Sequence, residues 1–262
     1  MSVKRTPRTE NKESIESKNN GKAKKKNSFR ETTEAILIAL LAAMLLRAFV
    51  VQAFRIPTGS MKDTLLVGDF LLVNKFIYGV RTPDRIPVID AQIPFFRLPA
   101  FKKPKHGDVV VFKYPRDEKL DYIKRCIAIG GDTIEVRNSE VFVNGNSEGV
   151  KFDLGKKFDS EEGRYVKHTR IKTPYGKTYT VRHYVDKNQE LDDFGPIVIP
   201  EGHYFMMGDN RDNSSDSRVW GTLQEENVVG EALIIYFSWE KAGEFWNIID
   251  SVRWSRIANF IR

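Results

Sequence analysis

The sequence feature that most constrains the fold is a long apolar segment, "AILIALLAAMLLRAFVVQAF", at residues 35–54. Only Arg47 and Gln52 interrupt it, and a helix of this length, at about 1.5 Å per residue, spans about 30 Å, the thickness of the hydrocarbon core of a bilayer. Twelve residues of the segment precede Arg47, whose long side chain can extend toward the nearer membrane surface. The segment therefore predicts one transmembrane helix at 34–54.

The basic excess of the chain lies in its first 33 residues. They contain ten Lys or Arg and four Glu, which accounts for +6 of the formal net charge of +7. Such a segment favours disorder and, by the positive-inside rule, a cytoplasmic location. We therefore expect a disordered cytoplasmic tail at 1–33, a single-pass protein of the cytoplasmic (inner) membrane, and an exported domain after Phe54. The nearly balanced remainder argues against a nucleic-acid groove, so no nucleic-acid partner is expected.

A cleaved secretory signal peptide is the alternative interpretation of the N-terminal region, since it also combines basic residues with an apolar segment. It fits poorly. The apolar segment begins only after more than 30 residues, it is too long, and no pair of small residues spaced for cleavage follows it.

Beyond the apolar segment the sequence is typical of a β protein. Short runs rich in Val, Ile, Phe and Tyr are separated by Gly, Asp, Asn or Pro, and no long helical period lies between them. The runs are at 69–79, 108–115, 121–129, 132–145, 177–185, 203–209 and 231–239. The predicted fold is mainly β, with the N-terminal helix followed by an exported antiparallel β-sheet domain that contains an inserted β subdomain.

A more polar segment without clear periodicity, 146–198, divides this domain. We expect 55–145 to form the first part of the core, 146–198 the inserted subdomain, and 199–262 the second part of the core with a C-terminal segment. In that last segment, "FWNIIDSVRWSRIANFIR" places apolar residues at helix-like spacing. Cys126 is the single cysteine, so the chain cannot form an intrachain disulfide.

Ser60 lies in the turn "PTGSM", a few residues after the apolar segment. A serine hydroxyl is a poor nucleophile and needs a base, usually His, Lys or an N-terminal amine. Lys124, in "DYIKRCIAIGGD", lies among alternating apolar residues and is either a partly buried base or an exposed strand lysine; the composition leaves both interpretations open. The histidines are weak candidates because they lie in charged turns, in the polar insertion or at the start of a strand: His106, His168, His183 and His203.

A third polar segment is "GDNRDNSSDSRVWG", at 208–221. Together with "FRIPTGSMKDTLLVGD", "GDVVVFKYP" and "YIKRCIAIGGD", in order after one apolar segment, it resembles the bacterial type I signal (leader) peptidases, which are membrane-anchored endopeptidases with a Ser/Lys dyad. The resemblance extends to "VRWSRIA" near the C-terminus and leaves out the tail and the insertion. It implies a serine endopeptidase that removes N-terminal signal peptides from exported preproteins by cleavage after small residues, in an Ala-x-Ala pattern.

The resemblance also implies roles for individual residues. Ser60 is the nucleophile, Lys124 is the general base, and the Thr58 hydroxyl forms an oxyanion hole with the Ser60 backbone N–H. Of the supporting residues, Ser214 hydrogen-bonds to the lysine and orients it, and Asp216 and Arg218 form an ion pair that supports the site. Shallow pockets for small substrate side chains are lined by Phe54, Ile56, Met61, Leu65, Asp121 and Ile123.

Four positions depart from the pattern of that family. Thr58 replaces the commoner serine but keeps a hydroxyl for the oxyanion hole. Asp63 stands where proline is usual, and Ala128 and Gly130 stand where glycine and proline are usual. We expect these changes to alter the rigidity of turns and the substrate range more than the activity.

A lysine at its ordinary pKa of ~10.4 is neutral only about 0.04% of the time at pH 7, so the proposed base must be buried among apolar groups. Ser/Lys chemistry requires no metal, and the sequence has no HExxH motif and no cysteine pair, so neither a metal nor a cofactor is expected. The expected partners are signal-peptide-bearing preproteins, the lipid bilayer and a nearby secretion translocon.

Two other functions are compatible with parts of this pattern. The first is a dedicated Ser/Lys maturation peptidase for one secreted or pilus-type substrate, or a self-cleaving relative of the repressor-type peptidases; the export topology and the complete set of motifs argue against self-cleavage. The second is an inactive, membrane-anchored binding domain. An inactive relative would be expected to lose the serine or the lysine, and both are present.

Overall fold

The computed structural model of the 262-residue chain describes residues 29–44, 46, 50–79, 85–86, 91–92, 99–187, 193–240 and 250–262. The chain divides into two units, Met1–Arg47 and Ala48–Arg262. The prediction of a disordered tail falls mostly on residues 1–28, which lie outside the described residues.

The described part of the first unit is a helix, α1, over 29–44. An ion pair between Arg30 Nε and Glu34 Oε1, 3.0 Å apart, spans one of its turns, and its large apolar side chains are more than half exposed. Among the described residues, no helix is both long and apolar enough to cross a membrane. The helix begins before the predicted segment, whereas residues 51–54, which the apolar pattern places in the helix, belong to a strand because they pair with residues 71–74.

The described part of the second unit is mainly β, as predicted. Its strands are β1 (Val51–Arg55), β2 (Asp69–Asn74), β3 (Arg85–Ile86), β4 (Ala91–Gln92), β5 (Val109–Tyr114), β6 (Asp117–Ile129), β7 (Thr133–Arg137), β8 (Glu140–Val143), β9 (Asn146–Ser147), β10 (Val150–Asp159), β11 (Arg164–Lys172), β12 (Thr178–Tyr184), β13 (Phe194–Val198), β14 (His203–Met207), β15 (Leu223–Gln224), β16 (Val228–Ser238) and β17 (Asn259–Phe260). A short helix, α2, covers Ser217–Trp220, and 3-10 turns cover Glu225–Asn227 and Trp254–Arg256.

These strands form antiparallel sheets. The main sheet has the order β1-β2-β16-β5-β6-β14-β15, with β17 paired to β16. Strand β16 comes from the C-terminal part of the chain and pairs with β2 on one side and β5 on the other. Three smaller sheets have the orders β13-β7-β8-β9, β10-β11-β12 and β3-β4. The two parts of the predicted core therefore interleave in one sheet, and the polar segment between them contributes a sheet of its own.

Burial explains why the main strands form where they do. In β2 every second residue is buried, which is the pattern of a strand with one face on the core. Four consecutive residues of β5 are buried, as expected for a strand covered on both faces. One apolar cluster of the main sheet contains Met61, Leu65 and Leu71, so the loop between β1 and β2 is anchored directly in the core.

Candidate active site

Ser60 lies in the loop that connects β1 to β2. A backbone hydrogen bond from Ile56 N to Asp69 O, 2.8 Å long, closes the base of this loop. The side chains of Met61 and Leu65 have no exposed surface and pack in the core beneath it. Because both ends of the loop and its apolar side chains are fixed, the half-buried Ser60 is held at a defined position at the edge of the sheet.

Strand β6 brings Lys124 to this loop. Its Nζ lies 2.7 Å from Ser60 Oγ, which is hydrogen-bonding distance, and it donates a second hydrogen bond to the carbonyl oxygen of Ile123 at 3.0 Å. The same nitrogen is 5.3 Å from the centroid of the Tyr122 ring. The structure therefore brings together the two residues that the sequence suggested as nucleophile and base, although they are 64 positions apart.

The surroundings of Lys124 disfavour its charged form. Only 4% of the residue is exposed, and burial lowers its pKa from 10.5 to about 8, although the negative charges of Asp216 and Asp209 act in the opposite direction. At pH 7 about a tenth of such lysine side chains are neutral, whereas at the ordinary pKa only about 0.03–0.04% would be neutral. An amine that is neutral this often can accept a proton.

A second buried lysine, Lys62, lies two residues after Ser60 and differs from Lys124 in its electrostatics. Its Nζ lies 3.1 Å from Asp159 Oδ2, 2.8 Å from Glu161 Oε2 and 3.1 Å from Glu162 Oε1. Burial favours the neutral form, but the hydrogen bonds to these carboxylates prevail and raise the pKa of Lys62 above its ordinary value. Lys62 therefore remains charged and cannot act as a base at neutral pH.

The ion pair expected between Asp216 and Arg218 is present, with both the Nε and an Nη of Arg218 2.9 Å from the carboxylate. Asp216 is fully buried and also accepts a hydrogen bond from the backbone N–H of Gly208 at 3.1 Å. It is the N-cap of helix α2. Arg218 donates to the carbonyl oxygen of Arg211 as well. These contacts tie the polar loop at 208–221 to itself and to the end of β14.

Ser214 lacks the hydrogen bond to Lys124 that was expected of it. Within the described residues its buried Oγ makes no hydrogen bond of normal geometry, so the expected bond to Lys124 is absent. The hydroxyl still helps to lower the pKa of Asp216, whose carboxyl is shifted despite its burial mainly by Arg218. A Cβ at Gly208 would collide with Ser214 Oγ and would lie 2.5 Å from Ser60 O. Ser214 thus packs beside the Ser60 loop without a hydrogen bond to the lysine.

The two hydrogen-bond donors expected to form an oxyanion hole are available to a substrate. Thr58 is exposed, and in the described part of the chain neither its hydroxyl nor the backbone N–H of Ser60 has a hydrogen-bond partner. A backbone N–H without a partner next to a nucleophile is the kind of donor that stabilises a developing oxyanion.

The residues expected to line the substrate pockets have different exposures. Phe54 and Ile123 are half-buried and pack on the core cluster that contains Ile56, so they can present apolar surface beside Ser60. Met61 and Leu65 are completely buried and lie behind that surface. The expectation that Met61 and Leu65 line the substrate pockets directly is therefore wrong, because a side chain without exposed surface cannot touch a bound peptide unless the core moves. Asp121 is exposed and pairs with Lys113 on β5, 3.0 Å away.

Comparison with known proteins identifies the family of the chain. Residues 29–239 match the family model described as "Signal peptidase, peptidase S26". The chain belongs to this signal peptidase family. The match covers α1, the Ser60 loop, β6 with Lys124 and the polar loop at 208–221.

Individual signal peptidases are similar over most of the chain. A signal peptidase I of Pseudomonas aeruginosa is 39% identical over 76% of this chain and 69% of its own length. A signal peptidase I of Aquifex aeolicus is 37% identical over 80% of this chain and 84% of its own length. A crystal structure of a signal peptidase I from Enterococcus faecalis is 28% identical and covers 50% of this chain and 97% of its own, with a TM-score of 0.29.

The structure gives a physical reason for one departure from the usual signal peptidase pattern. Asp63 has a φ of 77°, a conformation that proline, with φ fixed near −65°, cannot adopt. Its carboxylate lies 2.6 Å from Nδ1 of His168 on β11. His168, one of the weak candidates for the base, is therefore paired with a carboxylate. His106, another weak candidate, is also paired with a carboxylate and lies 2.7 Å from Asp132.

Sequence reasoning missed three groups near the site. Arg125 and Asp209 form a fully buried pair with hydrogen bonds of 2.8 and 2.7 Å, on the opposite face of β6 from Lys124. Asn210 donates from Nδ2 to Gly59 O at 3.1 Å. Asp209 and Asn210 lie within the polar loop motif, so the sequence could have suggested them as site residues. The role of Lys62 could not be predicted from its neighbours in the sequence, because the first of its carboxylate partners, Asp159, lies 97 residues later.

Proposed function

We propose that this chain removes N-terminal signal peptides from exported preproteins, cleaving after small residues with Ser60 as nucleophile and Lys124 as general base. The observation that carries the proposal is the 2.7 Å contact between Lys124 Nζ and Ser60 Oγ, made by a lysine that is buried and has a pKa of about 8. The relatives named signal peptidase I supply the substrate class.

In the proposed reaction, neutral Lys124 takes the proton of the Ser60 hydroxyl as Oγ attacks the scissile carbonyl carbon. The resulting tetrahedral intermediate collapses when its C–N bond breaks, and the ammonium of Lys124 gives its proton to the departing amine. This leaves the signal peptide as an ester on Ser60. Lys124 then takes a proton from water, which hydrolyses the ester and restores the serine.

The negative charge on the carbonyl oxygen in this reaction requires donors. The unpartnered backbone N–H of Ser60 and the exposed hydroxyl of Thr58 are the groups we assign to it. Donors fixed in advance in a partly desolvated site can each contribute about 10²–10³ in rate.

We further propose that Asp216 and Arg218 fix the polar loop so that Ser214 and Gly208 pack against the Ser60 loop. Ser214 has no direct bond to the lysine in this arrangement, so its expected effect is to limit water access and loop movement beside Lys124. The contacts that support this role are the fully buried Asp216 carboxylate and the close approach of Gly208 to Ser60 O.

Substrate preference would follow from apolar surface that includes Phe54 and Ile123, backed by the buried Ile56, Met61 and Leu65. Such a surface accepts Ala, Gly or Ser at the residue before the cut and a small aliphatic side chain two residues earlier. A Lys or Asp side chain there would lose its hydration without a compensating partner. Asp121 pairs with Lys113 and is left out of this proposed surface.

We also propose that the part of the predicted apolar segment that precedes β1 anchors the protein in the cytoplasmic membrane, with the basic tail in the cytoplasm and the β domain on the other side, near the lipid surface and the secretion translocon. The support is the apolar composition of residues 35–50 and the exposed apolar side chains of α1. Membrane pelleting after alkaline extraction, with protease accessibility of the tail and the domain, tests this topology independently of activity.

The decisive experiment mixes the detergent-solubilised full chain with a preprotein carrying an Ala-x-Ala site and follows the appearance of a shortened product. The wild type is expected to cleave once, after the second Ala, and Ser60→Ala and Lys124→Arg are expected to be inactive although folded. A guanidinium cannot deprotonate at any usable pH. Substantial cleavage by Lys124→Arg would refute the assignment of the base.

A further inference from the structure

We propose that Lys62 and the acidic turn of the β10–β11 hairpin, residues 159–162, position the backbone of Ser60 for catalysis. This inference rests on the proposed function, and it gives the polar segment between the two parts of the core a role in the reaction. Lys62, Asp159 and Glu162 are positioning residues in this proposal, since none of them touches the reacting atoms.

The hairpin turn and the Ser60 loop meet through an ion cluster. Lys62 Nζ contacts three carboxylates of the turn at 2.8–3.1 Å, those of Asp159, Glu161 and Glu162. Arg182 on β12 contacts two of the same carboxylates, Asp159 at 2.5 Å and Glu162 at 3.4 Å. The side chains of Lys62 and Arg182 are 8% and 4% exposed, so both cations are sheltered from solvent, whereas the side chain of Glu161 is 67% exposed.

Asn210 links this cluster to the backbone next to the nucleophile. Its Nδ2 donates to Glu162 Oε1 at 3.2 Å and to Gly59 O at 3.1 Å. Its own backbone N–H donates to Ser60 O at 3.1 Å. Asn210 therefore connects the hairpin turn to the peptide groups on both sides of Ser60.

The carbonyl of Gly59 is the important acceptor because it belongs to the same peptide group as the N–H of Ser60. A peptide group is planar, so fixing the direction of its C=O also fixes the direction of its N–H. Two donors hold Gly59 O, Asn210 Nδ2 and the backbone N–H of Lys62 at 3.0 Å. The ion cluster thereby determines where the unpartnered Ser60 N–H points, and that N–H is the donor we assign to the oxyanion.

The side chain of Lys62 adds a steric contact to the electrostatic one. A Cβ placed on Gly59 would lie 3.2–3.4 Å from three carbons of the Lys62 side chain, so these methylenes cover Gly59 closely. The ions of the cluster stay charged across neutral pH. Burial alone would lower the pKa of Lys62, but its hydrogen bonds to the carboxylates raise it. Burial alone would raise the pKa of Asp159, but hydrogen bonds from Arg182 and Lys62 lower it to about 2. The attraction between Lys62 and the hairpin turn therefore persists at the pH at which the enzyme would work.

The test compares kcat and KM of the full chain in detergent for Lys62→Met, Lys62→Arg and Glu162→Gln, using the Ala-x-Ala preprotein. Lys62→Met and Glu162→Gln are expected to lower kcat about 10- to 100-fold, because a small misplacement of a reacting group costs rates of this size. KM should change less than about twofold, and the pH at half-maximal kcat should stay where Lys124 sets it. Lys62→Arg keeps the cation and should recover most of the lost kcat.

Lys167→Met is the matched control. Lys167 is a lysine of the same hairpin that pairs with Asp153 at 3.4 Å, and its side chain is 44% exposed. The same substitution there should leave kcat unchanged. A wild-type kcat in Lys62→Met, or an equal loss in Lys62→Met and Lys167→Met, would overturn the proposal. If Lys62→Met fails to fold, a wild-type kcat in Glu162→Gln overturns it as well.

Amide hydrogen exchange separates this inference from the proposed function. If the wild type cleaves no preprotein, the proposed function fails, but the exchange rate of the Ser60 N–H can still be measured in folded protein. Faster exchange in Lys62→Met than in Lys167→Met supports positioning by the cluster. Equal exchange in the two variants contradicts it.

Discussion

Lys124 and Lys62 are the two most buried lysines of the described chain, and their pKa values are displaced in opposite directions. Lys124 has lost water without gaining a carboxylate in contact, whereas Lys62 has three carboxylates within 3.1 Å. Both lie close to Ser60 in space or in sequence, so proximity alone does not distinguish them. This difference in electrostatics supports the proposed proton transfer by Lys124, whereas Lys62 keeps its charge at neutral pH.

The first prediction concerns the pH dependence of cleavage. In the proposed mechanism neutral Lys124 is the active form, and its pKa is about 8. We therefore expect kcat/KM to rise as the pH increases from 6, to reach half its maximum near pH 8 and then to level off. A pH series with a preprotein that carries no titrating group near the cut measures this profile. A midpoint near pH 6.5 would indicate a histidine base instead.

The second prediction concerns stability. The pKa of Lys124 in the folded chain lies below that of the unfolded chain, because burial penalises its charged form. Below pH 8 the side chain is mostly charged in both states, so folding must bury a charge that water solvates, and this lowers the free energy of unfolding. Lys124→Met should therefore stabilise the protein by up to roughly 3 kcal/mol below pH 8 while abolishing cleavage.

This advantage of Lys124→Met should shrink as the pH rises from 8 to 10.5, because within that window the unfolded wild type still binds the proton that the folded wild type has released. Denaturant titrations of both proteins at pH 7 and pH 10 measure the difference. A gap that is the same at both pH values would show that it comes from packing and not from the charge.

The third prediction separates the residues of the polar loop. Asp216→Asn and Arg218→Ala each break a buried ion pair on one side, which costs about 3–5 kcal/mol, and both should lower the melting temperature as well as turnover. Ser214→Ala removes a hydroxyl without a regular hydrogen-bond partner, so its melting temperature should stay close to that of the wild type. Melting curves and kcat for the three variants test this. Early melting of Ser214→Ala with full turnover would reverse the assignment.

The fourth prediction concerns Asp63 and its φ of 77°. Asp63→Gly and Asp63→Ala both remove the carboxylate that contacts His168, but only glycine adopts this conformation without strain. Asp63→Gly should therefore be more stable than Asp63→Ala by about 1 kcal/mol, and Asp63→Pro should be the least stable of the three. Thermal unfolding of the three variants measures this order of stability. Equal stability of the Gly and Ala variants would argue against a strained backbone at this position.

Burial determines how much of the fold the sequence predicts. Strands such as β5 and β14 lie in the core, so their apolar runs identified them. Strands β10 and β11 were missed because most residues of β10 are exposed and both strands are rich in lysine; their backbones are held by pairing with each other and with β12. In the last described segment, 250–262, the sequence has helix-like spacing, but the structure has a 3-10 turn and β17. The reason is that residues 259 and 260 pair with β16.

The candidate site was predictable to the extent that its residues lie in motifs. Ser60, Lys124, Asp216 and Arg218 each stand in a short segment of unusual composition, and the structure places the first two in contact and the last two in contact. The ion cluster around Lys62 could not be predicted in the same way. Its members come from the Ser60 loop, the hairpin turn and β12, so only the fold brings them together.

The position of β16 also affects how the protein is made. This strand lies between β2, which follows the Ser60 loop, and β5, which precedes the strand of Lys124, yet it is residues 228–238 of the chain. Until residues 228–238 have been synthesised, no strand pairing joins β1 and β2 to β5 and β6. A nascent chain therefore contains Ser60 and Lys124 before it contains the strand that connects their two parts of the sheet.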